Sequence, residues 1–474
     1  MLLNRITQSV TRSIEDTIEG IGEALFDPVI RLGVTGLSRA GKTVFITSLV
    51  ANMLDRGRMP QLKAVSDGRI RSTFLQPHPD HTVPRFAFED HMAALTAPEP
   101  HWPESTRSIS TLRLSLKVRP SGLLTGLGGQ RTIHLDIIDY PGEWLLDLPL
   151  MSQSYEQWSA AALEAARAPS RASQAESWLA RLEDCDPAAK LDERTATELA
   201  EAFTAYLAAS RAAGLSSMAP GRFLMPGDME GTPALTFAPL PKPAKPGSGS
   251  LWRTFESRFE SYKRVVVEPF FRNHFAKFDR QIVLIDALGA ISDGPPAVED
   301  LRTAMAEILA CFRPGQNSWL APILGRRVDR ILFAATKADH LHHTQHARLA
   351  AITEALVKDA RDRANFRGAK TGALAIASLR ATVEQTIERN GRQIDLVRGR
   401  LSDNGEDGAL FPGNLPENPS HILSPARHGS TEWEGAAYNI TRFAPPKLDL
   451  RPGEAPPHIR LDRAMEFLIG DKLA

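Results

Sequence analysis

Short apolar runs bounded by turn signals alternate along this chain with longer stretches of helical period. Val29-Ile30-Arg31-Leu32-Gly33-Val34-Thr35 reads as a buried strand, and Val44–Leu54 as a helix that stops at Gly57. Arg71–Gln76 has the pattern of a short strand and Phe88–Leu95 that of a helix. Ser108–Val118 and Arg131–Asp139 are extended in pattern and flank the Gly-rich stretch 121–129, which predicts a hairpin. Further buried strands follow at Gln281–Asp286, Ile331–Ala335 and Gly372–Ala377, with a helix at Val298–Phe312 and a closing helix at Leu461–Leu473. Strands in alternation with helices predict a three-layer α/β/α fold on a mostly parallel sheet, with one antiparallel hairpin strand.

Between Arg131–Asp139 and Gln281–Asp286 the pattern changes. Ala160–Arg167, Glu176–Leu182 and Thr197–Leu215 are rich in alanine and glutamate, and Leu199, Phe203, Tyr206 and Leu207 keep helical spacing. Met218–Ser250 is rich in proline and glycine and reads as an irregular connector. A long amphipathic helix from Leu251 presents Phe255, Phe259, Tyr262 and Val266 on one face, and Pro269 is expected to end or kink it. The predicted organisation is an N-terminal amphipathic helix (1–27), a first α/β part (28–150), a helical insertion with its connector (151–278), a second α/β part (279–384) and a loop-rich C-terminal region with a closing helix (385–474).

The 474 residues allow a large core, and 42% hydrophobic with 24% charged residues is ordinary for a soluble globular protein. Lysine plus arginine equals aspartate plus glutamate at 56 each, which gives no reason to expect nucleic acid as a partner. Two distant cysteines, Cys185 and Cys311, suggest neither disulfides nor a metal cluster and fit a reducing, cytoplasmic setting. No stretch has the length of uncharged apolar sequence that a bilayer demands. Leu3, Ile6, Val10, Ile14, Ile18, Ile21 and Leu25 form a helical stripe opposite a net acidic face. Packing on the body of the protein and docking on a membrane surface or partner both fit that stripe, although anionic lipid would repel the acidic face.

Candidate chemistry enters at Gly36–Thr43, GLSRAGKT, which satisfies G-x-x-x-x-G-K-[ST] between a strand and a helix. Glycines let the main chain curl so that N–H groups point inward at phosphate oxygens, and the helix start adds its positive dipole end. The candidate cradle is Gly36, Ser38, Arg39, Ala40, Gly41, Lys42, Thr43 and Val44. Within it Lys42 reaches the β- and γ-phosphates and the Thr43 hydroxyl ligates Mg2+. Asp139-Tyr140-Pro141-Gly142-Glu143 ends a buried strand. Its carboxylate at Asp139 suits a Mg2+-bound water, and the Gly142 N–H suits a γ-phosphate. After another strand, Thr336-Lys337-Ala338-Asp339 offers a carboxylate that can accept from guanine N1–H and N2–H, with the Lys337 stem along the base; Ser378 lies at the next strand end, where its backbone can touch the base. His342 and His346 have the i, i+4 spacing of a zinc pair but no third ligand nearby in sequence, so a solvated or capping set is the alternative.

GLSRAGKT, DYPG and TKAD together resemble the phosphate loop, switch and base-reading motifs of GTPases. The forms GLSRAGKTVFITSLV, WPEST, DYPGEWL, ATKADH and PHIRLDRAMEFLIGDKL are more narrowly similar to the YcjX-like family, bacterial P-loop proteins associated with stress responses. The resemblance spans nearly the whole chain. It implies a GTPase fold with a helical insertion, and GTP/GDP and Mg2+ as ligands; the insertion is expected to shape a surface for a protein partner or to shield the site. By position it implies a Mg2+-binding switch threonine at Thr106, with Ser105 as rival. It also puts Glu143 where many small GTPases carry a water-orienting glutamine. A carboxylate there can position water or act as base, yet it repels the γ-phosphate, so intrinsic hydrolysis is expected to be slow. Arg39 is either an arginine that reaches the transferring phosphoryl group or a solvent-facing loop residue. A non-hydrolysing GTP-binding scaffold and a P-loop small-molecule kinase are the rival activities.

Overall fold

A sheet of seven strands runs through the molecule in the order β2-β3-β4-β1-β5-β6-β7. The strands are β1 (Val29–Gly36), β2 (Ile70–Gln76), β3 (Ser110–Val118), β4 (Arg131–Asp139), β5 (Arg280–Ile285), β6 (Arg330–Ala335) and β7 (Lys370–Ala375). Neighbours β4, β1, β5, β6 and β7 are parallel, while β3 is antiparallel to β4 and to β2. The coordinates are a computed structural model that describes residues 27–474 apart from 38, 105, 107, 120–129, 275–276, 311–327, 367, 434, 436–437 and 452. The N-terminal stripe, Ser38, Ser105, Cys311 and the Gly-rich stretch between β3 and β4 therefore lie outside the described residues.

The strand period of two sorts the side chains onto two faces. Ile282, Leu284, Leu332 and Ala334 pack with the helix Lys42–Asp55 and the closing helix Leu461–Ile469. Val283, Ile285, Phe333 and Ala335 pack on the other face with the helices Pro295–Ala310 and His346–Leu356. The closing helix is tied down through Arg280, which donates to the Leu468 carbonyl and pairs with Asp329 and Asp471.

The longer helices between β4 and β5 among the described residues, at Tyr155–Ala166, Ala172–Glu183, Glu193–Ala212 and Leu251–Tyr262, make up most of the region read as an insertion. Ser154 and Gln157 form a reciprocal capping box at the start of the first. Their aromatic residues Trp158, Trp178, Phe203 and Phe259 share one continuous core with Val283 and Phe333 of the sheet, and Trp158 stacks on Phe259 at 5.1 Å. Full burial of each such ring contributes on the order of 2 kcal/mol, so this region is fastened to the sheet rather than hung from it.

Two expectations change. Pro269 does not end the helix that begins at Leu251. A π-type turn at Lys263–Val267 comes first, Glu268 N–H bonds to the Lys263 carbonyl, and Pro269 sits in the opening turn of Glu268–Asn273, a position where helices tolerate proline. The C-terminal region is also not only loops. It contains a second, antiparallel sheet of β8 (Thr382–Arg389), β9 (Arg392–Arg400) and β10 (Asp407–Leu410).

Candidate functional site

The turn from β1 into the helix Lys42–Asp55 is built by backbone conformations that few residues adopt. Gly41 has φ +81° and Arg39 φ +64°, both left-handed. Lys42 Nζ donates to the Gly36 carbonyl at 2.9 Å, so the lysine folds back across its own loop. Gly142 closes over the same point. A Cβ there would lie 2.0 Å from the Gly36 oxygen and 2.8 Å from Lys42 Nζ, so only glycine lets the segment after β4 approach this closely. Gly36 is similarly confined, since its Cβ would meet the Leu284 carbonyl oxygen at 2.9 Å.

Three oxygen-bearing side chains converge beside the loop. Thr106 Oγ1 donates to Asp139 Oδ2 at 2.5 Å and stands 3.4 Å from Thr43 Oγ1. Burial pushes the Asp139 carboxyl up to about 6, against the pull of Lys42, the Thr106 hydroxyl and the Tyr140 N–H. Its Oδ1 is buried with no hydrogen-bond partner. An orphaned carboxylate oxygen beside two hydroxyls is a hard-oxygen donor set, which fits Mg2+. Thr43, Thr106 and Asp139 are thus brought together as expected.

At the far end of the sheet's C-terminal edge, Lys337 takes the left-handed conformation at φ +60° and pairs through Nζ with Asp286 at the end of β5. The next residue, Ala338, bonds through its N–H to the Ile376 carbonyl. Asp339 is buried, and its Oδ2 accepts from the Ala381 N–H at 2.8 Å while the Thr382 hydroxyl donates to its main-chain carbonyl. Thr336 is also buried, fixed to the Ile285 carbonyl by its N–H.

A cavity of about 360 Å³ joins these parts. Its lining includes Arg39, Ala40, Gly41, Lys42, Thr43, Val44, Thr106, Glu143, Thr336, Lys337, Asp339 and Ser378. The size falls within the range of small-molecule sites. Gly36 and Gly142 abut it through Lys42. The lining also includes Leu379, which shares the strand end expected to touch the base, and residues that sequence reasoning passed over: His340, Ala381, Ser402, Arg442 and Phe443. Phe443 accepts at its carbonyl from Trp102 Nε1, which anchors the stretch leading to Thr106. No periodicity marks Arg442 and Phe443, because they sit in an irregular segment; only their nearness in space to Lys337 and His340 brings them in.

Glu143 lines this cavity and an adjoining one of about 110 Å³. It is buried, and its Oε1 lies 2.9 Å from Arg211 Nη2 at the end of the helix Glu193–Ala212. The carboxylate is therefore neutralised by an arginine far away in sequence. Arg39 is exposed at the rim between the two cavities, and its charge acts on Asp293 across the smaller one. The spaced histidines do not pair: His346 is taken up by the Leu341 carbonyl and Arg460, while His342 faces Glu384 and Asp395.

The segment after Gly142 is seated on the insertion helices. Trp144 Nε1 donates to the Met225 carbonyl, and the Arg222 guanidinium stacks 3.2 Å from the Trp144 ring centre. Asp147 accepts from Gly221 N–H at 2.7 Å, Arg222 N–H at 3.3 Å and Tyr262 OH at 2.7 Å. Burial pushes the Asp147 carboxyl up to about 7 in spite of these donors. The folded protein keeps a proton there that the unfolded chain releases near its ordinary value of 3.8. Stability is therefore lost as pH rises from about 4 to about 7 and is level above. Asp147→Asn, which keeps a carbonyl for Gly221 N–H, is expected to remove that slope. Urea unfolding at pH 5 and pH 8 should show the wild type losing about 2 kcal/mol more than the variant; equal losses refute the assignment.

Residues 30–473 match the YcjX-like family. The chain belongs to this family. Among its relatives, the Ras-like GTPase YcjX of Escherichia coli is 38% identical over 459 residues, covering 94% of this chain and 96% of that protein. The Ras-like GTPase YcjX of Shewanella oneidensis is 35% identical over 470 residues, covering 94% and 95%. The YcjX-like resemblance read from the motifs is thereby established, and the parallel sheet with its antiparallel hairpin strand is the fold it implied. Among the described residues no helix is long and apolar enough to cross a membrane.

Proposed function

We propose that this chain binds GTP together with Mg2+ and hydrolyses it slowly to GDP and phosphate, as a nucleotide-dependent switch. The observation that carries the reading is a cavity lined by the Lys42 loop, by Thr43 and Thr106, and by Asp339, with Asp139 bonded to Thr106 directly behind that lining. The names of the relatives, Ras-like GTPase, support the nucleotide class.

In this reading the loop N–H groups and Lys42 hold the β- and γ-phosphates and carry the charge that spreads over the oxygens of the transferring group. Thr43, Thr106 and Asp139 hold the Mg2+, which supplies Lewis-acid stabilisation of the phosphate oxygens when bound. Asp339 reads the guanine edge, and Lys337, held at its tip by Asp286, lies under the base. Gly142 offers its N–H at the terminal phosphate, and the segment that follows passes the nucleotide state to the insertion through Trp144 and Asp147.

The Glu143–Arg211 pair favours a second reading, in which GTP is held and not cleaved, because the carboxylate that would position the water is already engaged by a guanidinium. Single-turnover phosphate release separates the two. With Mg2+ a slow release over minutes to hours is expected, at least about a hundredfold faster than in EDTA. GTP that remains intact after a day in bound, Mg2+-replete protein rejects hydrolysis and leaves the scaffold.

A further inference from the structure

Beyond the nucleotide cavity, the loop after Asp339 and the β8–β9 hairpin bring together a separate set of nitrogen and oxygen donors. His342 and His343 lie three and four residues after Asp339, before the helix His346–Leu356. On the hairpin, Thr386 pairs in register with Asp395, and Glu384 is two residues before Thr386. The strand period of two therefore turns Glu384 and Asp395 to one face. One donor atom each from His342, His343 and Glu384 lie within 4.8 Å of one another. His342 Nε2 is 3.6 Å and His343 Nδ1 2.6 Å from Glu384 Oε2. Ligands around a tetrahedral ion at ordinary Zn–N and Zn–O lengths stand roughly 3.3 Å apart, so small side-chain adjustments bring all three to bonding distance.

Asp395 has a different part. Its Oδ2 lies 3.3 Å from His342 Nδ1, on the side of the ring away from Glu384, and the Thr344 hydroxyl lies 3.0 Å from the same nitrogen. An acceptor at Nδ1 fixes the proton there and leaves the Nε2 lone pair aimed at Glu384, the orientation that a carboxylate gives a metal-binding histidine. His342 is buried whereas the His343 side chain is 63% exposed, so one ligand is preset and the other faces incoming ions. Arg380 stands 3.6 Å from the second Glu384 oxygen and leaves Oε2 to the histidines.

We propose that His342, His343 and Glu384 form a binding site for a divalent transition ion of the Zn2+ class, with water as the remaining ligand and Asp395 orienting His342. Two imidazoles and one carboxylate suit Zn2+ and do not suit Mg2+, which takes oxygen ligands and holds its water tightly. The ion staples the Asp339 loop to the hairpin. The hairpin's first residues already touch Asp339 through Ala381 N–H and the Thr382 hydroxyl, so the staple also stiffens that carboxylate. This last consequence rests on Asp339 being the guanine contact.

The test uses the full chain without nucleotide, in excess Mg2+, titrated with Zn2+ against a chromogenic chelator and with Co2+ by visible absorption. One equivalent of Zn2+ at micromolar affinity or tighter and a tetrahedral Co2+ band are expected. Asp395→Asn is expected to weaken Zn2+ by about tenfold, and His343→Ala and Glu384→Gln by more. His343 is exposed and Glu384 half-buried, and a melting temperature within a few degrees of the metal-free wild type verifies that both variants fold. Absence of saturable uptake, or uptake unchanged in His343→Ala and Glu384→Gln, overturns the site. GDP is expected to bind more tightly to Zn2+-loaded than to metal-free wild type. An unchanged GDP affinity overturns the stiffening of Asp339, whereas the Zn2+ titration, read without nucleotide, is independent of the GTP reading.

Discussion

Replacing Lys42 by alanine is expected to weaken GTP binding by about a hundredfold or more, the effect of removing the cation proposed to contact the β- and γ-phosphates through charge-assisted hydrogen bonds. A second effect adds to the first. Lys42 is the largest influence holding the buried Asp139 carboxyl down, and even so it is pushed up to about 6. Without the ammonium the carboxyl rises further and is protonated in a larger share of molecules at neutral pH. A protonated carboxyl does not hold Mg2+, so part of the lost affinity should return when the pH is raised and Asp139 ionises. Fluorescent GTP-analogue titrations of wild type and Lys42→Ala at pH 7 and pH 8.5, each with Mg2+, measure both effects. The ratio of the two affinities should narrow at the higher pH. Near-equal binding at pH 7 refutes the phosphate role of Lys42, and a ratio that does not change with pH refutes its coupling to Asp139.

The parts of this molecule that could be read from sequence are those where burial or backbone geometry leaves few choices. Strands β5 and β6 are covered on both faces, so they spell continuous apolar runs, and glycine is needed at Gly36 and Gly142 for reasons of space and at Gly41 for its left-handed backbone. The closing helix has one buried face, and its stripe of Leu461, Ala464, Met465 and Leu468 shows it. Strands β8 to β10 gave no such signal, because β8 is largely exposed on both faces and little apolar sequence marks it. The pairing of Glu143 with Arg211, the docking of Trp144 and Asp147 on Met225, Gly221 and Tyr262, and the entry of Arg442 and Phe443 into the cavity lining join residues far apart in sequence. No local period encodes contacts of that kind. The π-type turn before Pro269 was hidden for another reason: the apolar spacing on either side of it is helical, and only the hydrogen-bond ladder changes.

Asp339→Ala is expected to erase the preference for GTP over ATP while leaving phosphate binding in place. Guanine presents N1–H and an N2 amino group to the carboxylate, and each hydrogen bond to a charged acceptor contributes about 1.5–3 kcal/mol. Loss of both lowers GTP affinity by roughly two to three orders of magnitude on that scale, whereas ATP loses nothing or gains, since it no longer buries an unpaired carboxylate. Asp339 Oδ2 also accepts from the Ala381 N–H, so truncation unsettles the start of β8 as well. Asp339→Asn separates the two roles. Its carbonyl still accepts from Ala381, but its amide turns donors toward guanine's donors, so it should lose GTP while keeping the wild-type melting temperature. If both variants keep the wild-type preference for GTP, the carboxylate does not read the base. A variant that loses GTP and ATP equally points instead to a collapsed pocket wall, which the melting temperature of Asp339→Asn would then report.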